Sequence, residues 1–154
     1  MIRILFVCLG NICRSPMSEF VMKDLVKREG VAEQFEIASA ATSTWEIGNP
    51  VYPPAKAMLA SHGIGCKGKT ARQMTAADYQ SYDLLIGMDQ SNRKDMQAIC
   101  GGDPAGKIHL LLDYTDHPRD VADPWFTRNF DDTWEDVTAG CQGLLDALRA
   151  EGKL

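Results

Sequence analysis

Residues 7–16 of the chain read VCLGNICRSP, a short loop that joins an apolar run to a helical pattern. The preceding residues 2–7 are almost continuously apolar, which is typical of a strand buried on both faces of a parallel sheet. Cys8 therefore stands at the carboxyl end of a predicted strand. Ser15 is a favoured N-cap and Pro16 a favoured first helical residue, so the loop is expected to end on a helix N-terminus. The free N–H groups and partial positive charge of that terminus predict an anion site.

The spacing within the loop suits a nucleophile at the base of an oxyanion cradle. Five residues separate Cys8 from Arg14, which lets the backbone curl with its N–H groups pointing inward. Gly10 and Asn11 tolerate the positive φ values that such a curl requires. Arg14 supplies a planar fork that matches two phosphate oxygens, and Ser15 has a hydroxyl that can donate to the sulfur. In this field we expect Cys8 to be a thiolate.

The motif CLGNICRSP, residues 8–16, resembles the phosphate-binding loop of the low molecular weight protein tyrosine phosphatases. The resemblance implies that Cys8 is the nucleophile and that Arg14 clamps the phosphate. The phosphate-binding residues that it implies are Leu9, Gly10, Asn11, Ile12, Cys13, Arg14 and Ser15. The alternative, a buried strand-end cysteine and an unrelated surface arginine, would make the glycine, the arginine and the helix start coincidences. Cys8 and Cys13 are also expected to form a redox pair, since a sulfenic acid condenses with a nearby thiol.

The composition disfavours several classes of function. At 154 residues the chain is expected to form one domain, residues 1–154, that needs no disulfide or metal to hold its core. Sixteen Lys and Arg residues against 21 Asp and Glu residues give a net charge of −5, which disfavours nucleic acid and membranes as partners. No apolar run approaches the length of about 18 residues that indicates a membrane span.

The cysteines are odd in number and have no Cys-x2-Cys spacing. They are Cys8, Cys13, Cys66, Cys100 and Cys141. Their pattern predicts neither a disulfide framework nor a zinc site, and we expect no metal and no other cofactor. Reduced thiols and the lack of a signal peptide predict a cytoplasmic protein, and we expect a monomer or a weak dimer.

Strand and helix patterns alternate along the chain. Apolar residues recur at helical spacing from Met17 to Leu25, and further buried strands are predicted at residues 35–41, 84–88 and 108–112. A strong helical stripe covers residues 134–148, behind an Asp132-x-x-Glu135 capping signal. The pattern predicts an α/β fold, with a four-stranded parallel sheet, helices on both faces and the phosphate-binding loop between the first strand and first helix.

Residues 63–70 read GIGCKGKT and satisfy the Walker A pattern of nucleotide-binding loops. That motif requires a strand before it and a helix directly after it. The sequence has the reverse order, because a proline-started helical pattern precedes Gly63 and a new capping signal follows at Thr75. We therefore predict a glycine-rich turn with solvated lysines at this position.

Hydrolysis through a thiolate needs a proton donor near the leaving oxygen. The long predicted loop after the fourth strand offers six candidates, and spacing alone does not choose between them: Asp113, Asp116, Asp120, Asp123, Asp131 and Asp132. Residues 123–126, DPWF, resemble the family's Asp-Pro-aromatic-aromatic signature, which implies that Asp123 is the general acid and later the base. Trp125 and Phe126 replace the usual tyrosines, and with Trp45 and Ile12 they are the implied substrate pocket.

Residues 88–92, MDQSN, also resemble the family, and the resemblance implies that Asp89 and Asn92 support the loop together with Asn11 and Ser15. An ordinary helix N-cap is the alternative role for Asp89, and the two roles are compatible. The chain departs from the family at residues 67–69, Lys-Gly-Lys, where many relatives have a histidine that braces the loop serine.

The function implied is a protein tyrosine phosphatase that hydrolyses phosphotyrosine proteins and small aryl phosphates through a cysteinyl-phosphate intermediate. One alternative is a protein arginine phosphatase, although arginine-specific relatives carry threonine where this chain has Ile12. A second is a thiol redox enzyme like the arsenate reductases, which use a close pair of further cysteines that is missing here. A third is a phosphocysteine carrier, which would need neither Arg14 nor Asp123.

Overall fold

The computed structural model describes residues 1–154, which form four strands and six α-helices. The strands are β1 (Ile2–Cys8), β2 (Phe35–Ala41), β3 (Leu84–Gly87) and β4 (Ile108–Leu110). The α-helices are α1 (Arg14–Arg28), α2 (Pro53–Ser61), α3 (Ala77–Ser81), α4 (Gln90–Cys100), α5 (Pro124–Thr127) and α6 (Phe130–Ala150). Two 3-10 turns, Ala32–Gln34 and Leu111–Tyr114, complete the regular elements. None of the helices is both long enough and apolar enough to cross a membrane.

The sheet is entirely parallel, with the strand order β2-β1-β3-β4. The central strand β1 pairs with β2 from Ile2 opposite Phe35 to Cys8 opposite Ala41. The chain runs from β1 to β2 on one side of β1 and later returns to β3 on the other side. Because the strand order reverses there, a crevice opens at the carboxyl end of β1. Cys8 lies at that crevice. The predicted four-stranded parallel sheet is confirmed.

Helices cover both faces of the sheet, as the sequence predicted. Alternate side chains of β1 point to opposite faces: Ile4 and Phe6 join a core with α1, α2 and α6, while Leu5 and Val7 join a smaller core with α3 and α4. Burial of apolar surface in these two cores stabilises β1 as the rigid centre of the fold. The loop that follows Cys8 is thus attached to a strand whose last five residues, from Ile4 to Cys8, are all buried.

The fourth strand is shorter than predicted. It ends at Leu110, and Leu111–Tyr114 form a 3-10 turn, so the predicted long loop holds this turn and α5. A short apolar run does not distinguish a strand from a helical turn. The long helix α6 packs directly against this turn: a Cβ at Gly140 would overlap Leu111, and one at Gly143 would overlap the Tyr114 carbonyl. Glycine permits this close approach.

Two helix starts differ from the sequence prediction. The helix α6 begins at Phe130, before the capping signal predicted at Asp132. It is capped by Asn129, whose side chain accepts from the Asp132 N–H at 3.0 Å. The helix α1 begins at Arg14, and no side chain caps it. Ser15 is therefore not an N-cap, because its hydroxyl is engaged with the sulfur of Cys8.

The Walker-like segment is a pair of turns after α2, without the strand and helix that a nucleotide-binding loop needs. The predicted glycine-rich turn is confirmed. The expectation of solvated lysines holds for Lys67, which is exposed, but it is wrong for Lys69. The Lys69 side chain is only 14% exposed and reaches into the molecule toward α1 and β2.

Candidate active site

The loop after β1 wraps around the sulfur of Cys8. Two backbone donors point at this atom, the N–H of Asn11 at 3.3 Å and the N–H of Ser15 at 3.4 Å, and the Ser15 hydroxyl shares a hydrogen bond with it at 3.0 Å. Asn11 has the expected left-handed conformation, with φ of 58°. Gly10 does not, and a Cβ there would instead lie 3.4 Å from Cγ of Glu46. The donors stabilise negative charge on the sulfur.

Buried side chains fix the conformation of the loop from behind. The Asn11 side-chain amide donates to Oγ of Ser15 at 2.7 Å and to Oγ of Ser39 at 2.9 Å. The carbonyl of Leu9 accepts from the backbone and the hydroxyl of Ser43, at 3.1 and 2.7 Å. Ser39 was not identified from the sequence, although a serine inside the apolar strand β2 was a visible signal.

Arg14 is almost completely buried and connects the loop to two other segments. Its Nη1 donates to Oδ2 of Asp89 at 2.7 Å and to the carbonyl of Val121 at 2.8 Å, and its Nη2 lies 3.5 Å from Oδ2 of Asp123. Burial opposes the charged form, but Cys8, Asp89 and Asp123 outweigh it and raise the pKa of Arg14 above its ordinary value. A permanently charged fork therefore lies at the cleft.

Asp89 has both roles that the sequence left open. Its carboxylate binds Arg14 and also accepts from the Asn92 N–H at 2.7 Å, which caps α4. The Asn92 side chain accepts from the backbone of Met88 and Asp89, at 3.0 and 3.2 Å. Asn92 thus acts on Arg14 only through Asp89.

Of the six aspartates considered above, Asp123 alone lines the cleft beside Cys8 and Arg14. Its carboxylate accepts from the Trp125 N–H at 3.0 Å, which caps the short helix α5 and orients the side chain. Three of the other aspartates have partners elsewhere: Asp113 binds Arg93, Asp120 binds the Gln90 N–H, and Asp132 binds the Asn129 side chain.

A cleft of about 200 Å³ opens above the loop. Its lining residues are Cys8, Leu9, Gly10, Ile12, Cys13, Arg14, Trp45, Glu46, Asp123, Trp125 and Phe126. All four predicted pocket residues are among them. Trp45 and Phe126 are 74% and 76% exposed, so they form a rim and not a closed wall. Glu46 was not identified from the sequence.

Cys13 lies beside Cys8 but has different surroundings. Burial, with smaller contributions from the charges of Cys8 and Asp123, raises the pKa of Cys13 to about 12. Cys13 therefore remains a neutral thiol at pH 7 next to Cys8. The remaining cysteines, Cys66, Cys100 and Cys141, are free thiols outside the cleft.

A family model described as low molecular weight phosphotyrosine protein phosphatase matches residues 3–154. The chain belongs to this family. YfkJ of Bacillus subtilis, a low molecular weight protein-tyrosine-phosphatase, is 37% identical over 156 residues, which cover 100% of both proteins. The low molecular weight phosphotyrosine protein phosphatase of Gallus gallus is 38% identical over 148 residues, which cover 93% of each.

Solved structures of the phosphatase family agree with the fold. The crystal structure of Bacillus subtilis YfkJ superimposes with a TM-score of 0.95 at 37% identity, over 98% of this chain and 96% of that one. The structure of a Drosophila arginine phosphatase superimposes with a TM-score of 0.84 at 25% identity, over 94% of this chain and 96% of that one. The predicted enzyme class, protein-tyrosine-phosphatase, is confirmed.

Proposed function

We propose that this chain hydrolyses phosphotyrosine in proteins, and small aryl phosphates, through a cysteinyl-phosphate intermediate. The observation that carries the proposal is the convergence of two backbone N–H groups and the Ser15 hydroxyl on the Cys8 sulfur, at the base of a cleft that also holds Arg14 and one aspartate. A thiolate is the form of cysteine that attacks phosphorus, and this cradle favours it.

In the first step, the Cys8 thiolate attacks the phosphorus of the substrate. The new P–S bond forms while the P–O bond to the tyrosine ring breaks, and Asp123 gives its proton to the leaving oxygen. The loop N–H groups and Arg14 bind the phosphoryl oxygens, whose charge they stabilise in the transition state.

In the second step, water attacks the phosphorus of the cysteinyl-phosphate. The Asp123 carboxylate takes a proton from this water, the P–S bond breaks, and inorganic phosphate leaves. The Cys8 sulfur recovers its negative charge and accepts the Ser15 hydroxyl, which lies 3.0 Å away. Because both steps use the same acid group alternately, no other titrating residue is required.

The rim supports an aryl substrate. Trp45, Trp125 and Phe126 surround the mouth of the cleft, where they can bury the faces of a phenyl ring. Trp125 is itself held by Tyr52, with ring centroids 4.9 Å apart, and by Arg128, whose Cζ lies 5.3 Å from the indole centroid. Ile12 adds an apolar surface at the base.

Phosphoarginine is the second candidate substrate, and Glu46 is the observation that favours it. A carboxylate in the cleft lining can pair with a guanidinium. However, Glu46 already accepts from the Asn49 side-chain amide at 2.5 Å, and Ile12 offers no hydroxyl to the substrate. An unpaired N–H of a bound guanidinium would cost about 1–3 kcal/mol, so we propose phosphotyrosine as the better substrate.

A reducing compartment such as the cytoplasm suits this mechanism. The chain has five free cysteines, and one of them is the proposed thiolate nucleophile. An oxidising environment would convert such a thiolate to a sulfenic acid or a disulfide.

Trapping of the intermediate tests the proposal. The protein is mixed with a phosphotyrosine peptide whose phosphate is radiolabelled, and the reaction is stopped with acid within milliseconds. The protein is then digested, and the fragment that carries the label is identified. We expect release of inorganic phosphate in the steady state and label on Cys8 in the quenched sample. Hydrolysis with label on another residue, or arsenate-dependent thiol oxidation without hydrolysis, would contradict the proposed function.

A further inference from the structure

The segment that carries Asp123 is held firmly on one side only. Before Asp123, Val121 is completely buried, its N–H donates to the Met88 carbonyl at 2.9 Å, and its carbonyl accepts from Arg14 at 2.8 Å. After Asp123, residues 125–129 are all exposed. An exposed stretch buries little apolar surface, so the position of the short helix α5 depends on a few specific contacts.

Tyr52 provides these contacts. The only hydrogen bond that leads from residues 124–129 to a residue outside 123–133 is donated by Nη1 of Arg128 to the Tyr52 hydroxyl, at 2.8 Å. The Tyr52 ring also packs against Trp125, with ring centroids 4.9 Å apart. The Arg128 guanidinium lies over the same indole, with its Cζ 5.3 Å from the centroid. The three side chains therefore form one cluster on the outer side of α5.

Tyr52 is itself fixed to the loop after β1. Its backbone N–H donates to the Ile12 carbonyl at 2.9 Å. Its side chain packs against a small buried cluster of Ile12, Cys13 and Ala71. Tyr52 thus binds the loop that surrounds Cys8 through its backbone, and it binds α5 through its ring and hydroxyl.

These contacts bear on Asp123 through Trp125. The Trp125 N–H donates to Oδ1 of Asp123 at 3.0 Å, so the position of Trp125 sets the direction of the carboxyl group. Arg128 ends α5 in the left-handed conformation, with φ of 61°. Glycine is the usual residue at such a helix end. The arginine adds what glycine lacks, a side chain that reaches Tyr52.

We propose that Tyr52 and Arg128 are positioning residues that hold α5 against the loop after β1, so that Asp123 reaches the leaving oxygen of the substrate. This inference rests on the proposed function, since it needs Asp123 as the general acid. Neither Tyr52 nor Arg128 lines the cleft, so both act through Trp125 and Asp123. Proton transfer requires the donor within hydrogen-bond reach of the leaving oxygen, which a small movement of α5 would prevent.

The test uses two variants of the cluster and two matched controls. Tyr52→Phe removes the hydroxyl and keeps the ring, and Arg128→Met removes the guanidinium and keeps a long apolar side chain. Tyr114→Phe removes a hydroxyl outside the cleft. Arg28→Met removes an arginine whose exposed ion pair with Asp24 lies on α1.

Two aryl phosphates with different leaving groups are the substrates. Phenyl phosphate releases a weakly acidic phenol, whereas 4-nitrophenyl phosphate releases a much more acidic one that needs little protonation. A positioned acid therefore matters more for the first substrate. Each protein is assayed for kcat/KM with both substrates, for thermal unfolding and, without substrate, for the rate of Cys8 alkylation by iodoacetamide.

We expect kcat/KM for phenyl phosphate to fall about tenfold in Tyr52→Phe and in Arg128→Met, because each loses the hydrogen bond that holds α5. For 4-nitrophenyl phosphate the fall should stay within about twofold. The rate of Cys8 alkylation should not change, since the backbone bond from Tyr52 to Ile12 remains. Added to Asp123→Asn, Tyr52→Phe should cause no further loss, because both changes affect one proton transfer. Both controls should retain the wild-type values.

A merely structural role has a different signature. Equal losses with the two substrates in Tyr52→Phe, or a further loss when it is added to Asp123→Asn, would overturn the inference. Wild-type kcat/KM in Tyr52→Phe and Arg128→Met, with or without a lower melting temperature, would overturn it as well.

The two proposals fail separately in this experiment. A wild-type protein that hydrolyses neither aryl phosphate would overturn the proposed function. Hydrolysis that depends on Asp123 but on neither Tyr52 nor Arg128 would overturn this inference alone.

Discussion

The loop of residues 8–15 and the aromatic rim lie within one cleft but are built in opposite ways. In the loop, Asn11, Arg14 and Ser15 are at most 2% exposed, and every one has several hydrogen-bond partners. On the rim, Trp45 and Phe126 are largely exposed. Preorganised donors stabilise the charge that develops during phosphoryl transfer, whereas an exposed rim can only add contact with the substrate. We therefore expect the chemistry to depend on the buried part and substrate choice to depend on the rim.

The largest expected effect comes from the buried part. Cys8→Ser removes the nucleophile with almost no change in shape, and we expect no measurable hydrolysis of phosphotyrosine. Arg14→Lys retains a charge but loses the fork, and its kcat should fall by about 10³ or more. Steady-state assays with phosphotyrosine peptide measure both losses.

Oxyanion binding is the control for these two variants. Cys8→Ser should still bind inorganic phosphate, as measured by isothermal titration calorimetry, because the N–H groups of the loop remain. Substantial turnover by Cys8→Ser would show that the buried loop is not the origin of the chemistry.

The next effect concerns Asp123, which lies between the two regions. Asn is as good a helix cap as Asp, so Asp123→Asn should keep α5 in place while it removes the proton donor. We expect kcat for phosphotyrosine to fall by about 10²–10⁴. The fall in kcat should be smaller for aryl phosphates with acidic phenols, because their leaving groups need little protonation.

Matched aspartates test this assignment. Asp120→Asn and Asp116→Asn remove carboxylates from the same segment that do not line the cleft, and both should keep kcat within about twofold of wild type, as expected for surface positions. A larger loss in either variant than in Asp123→Asn would identify a different acid.

The smallest expected effect lies where the loop meets the rim. Ile12→Thr replaces a methyl-bearing branch with a hydroxyl that can pair with a guanidinium N–H. The ratio of kcat/KM for phosphotyrosine over phosphoarginine should fall about tenfold, the value of one hydrogen bond of about 1.4 kcal/mol. A wild-type preference for phosphoarginine, or an unchanged ratio in Ile12→Thr, would contradict the view that an apolar base and rim select the aryl group.

Local patterns account for much of what was predicted correctly. The run of apolar residues before Cys8 indicated a buried parallel strand, and the bounds of β2 agree with the prediction of residues 35–41. The capping role of Asp89 was likewise visible in its spacing to Asn92. Errors arose at element ends, where side chains have competing partners. Ser15 is a good N-cap in isolation, but in the fold Cys8 and Asn11 engage its hydroxyl.

The order of the strands, the helices and the loop after β1 can be predicted from the sequence, because periodicity and capping act over a few residues. Contacts between residues far apart in the chain cannot be predicted from local sequence patterns. Arg14 and Asp123 are 109 residues apart in the chain, and Lys69 reaches the carbonyl of Ser39 from 30 residues away. Only the packing of α1, β2 and the turn after α2 brings Lys69 to Glu19. The same burial that removes water from this pair makes each charge require its partner, so tertiary structure alone decides that this lysine pairs with Glu19 and is not exposed to solvent.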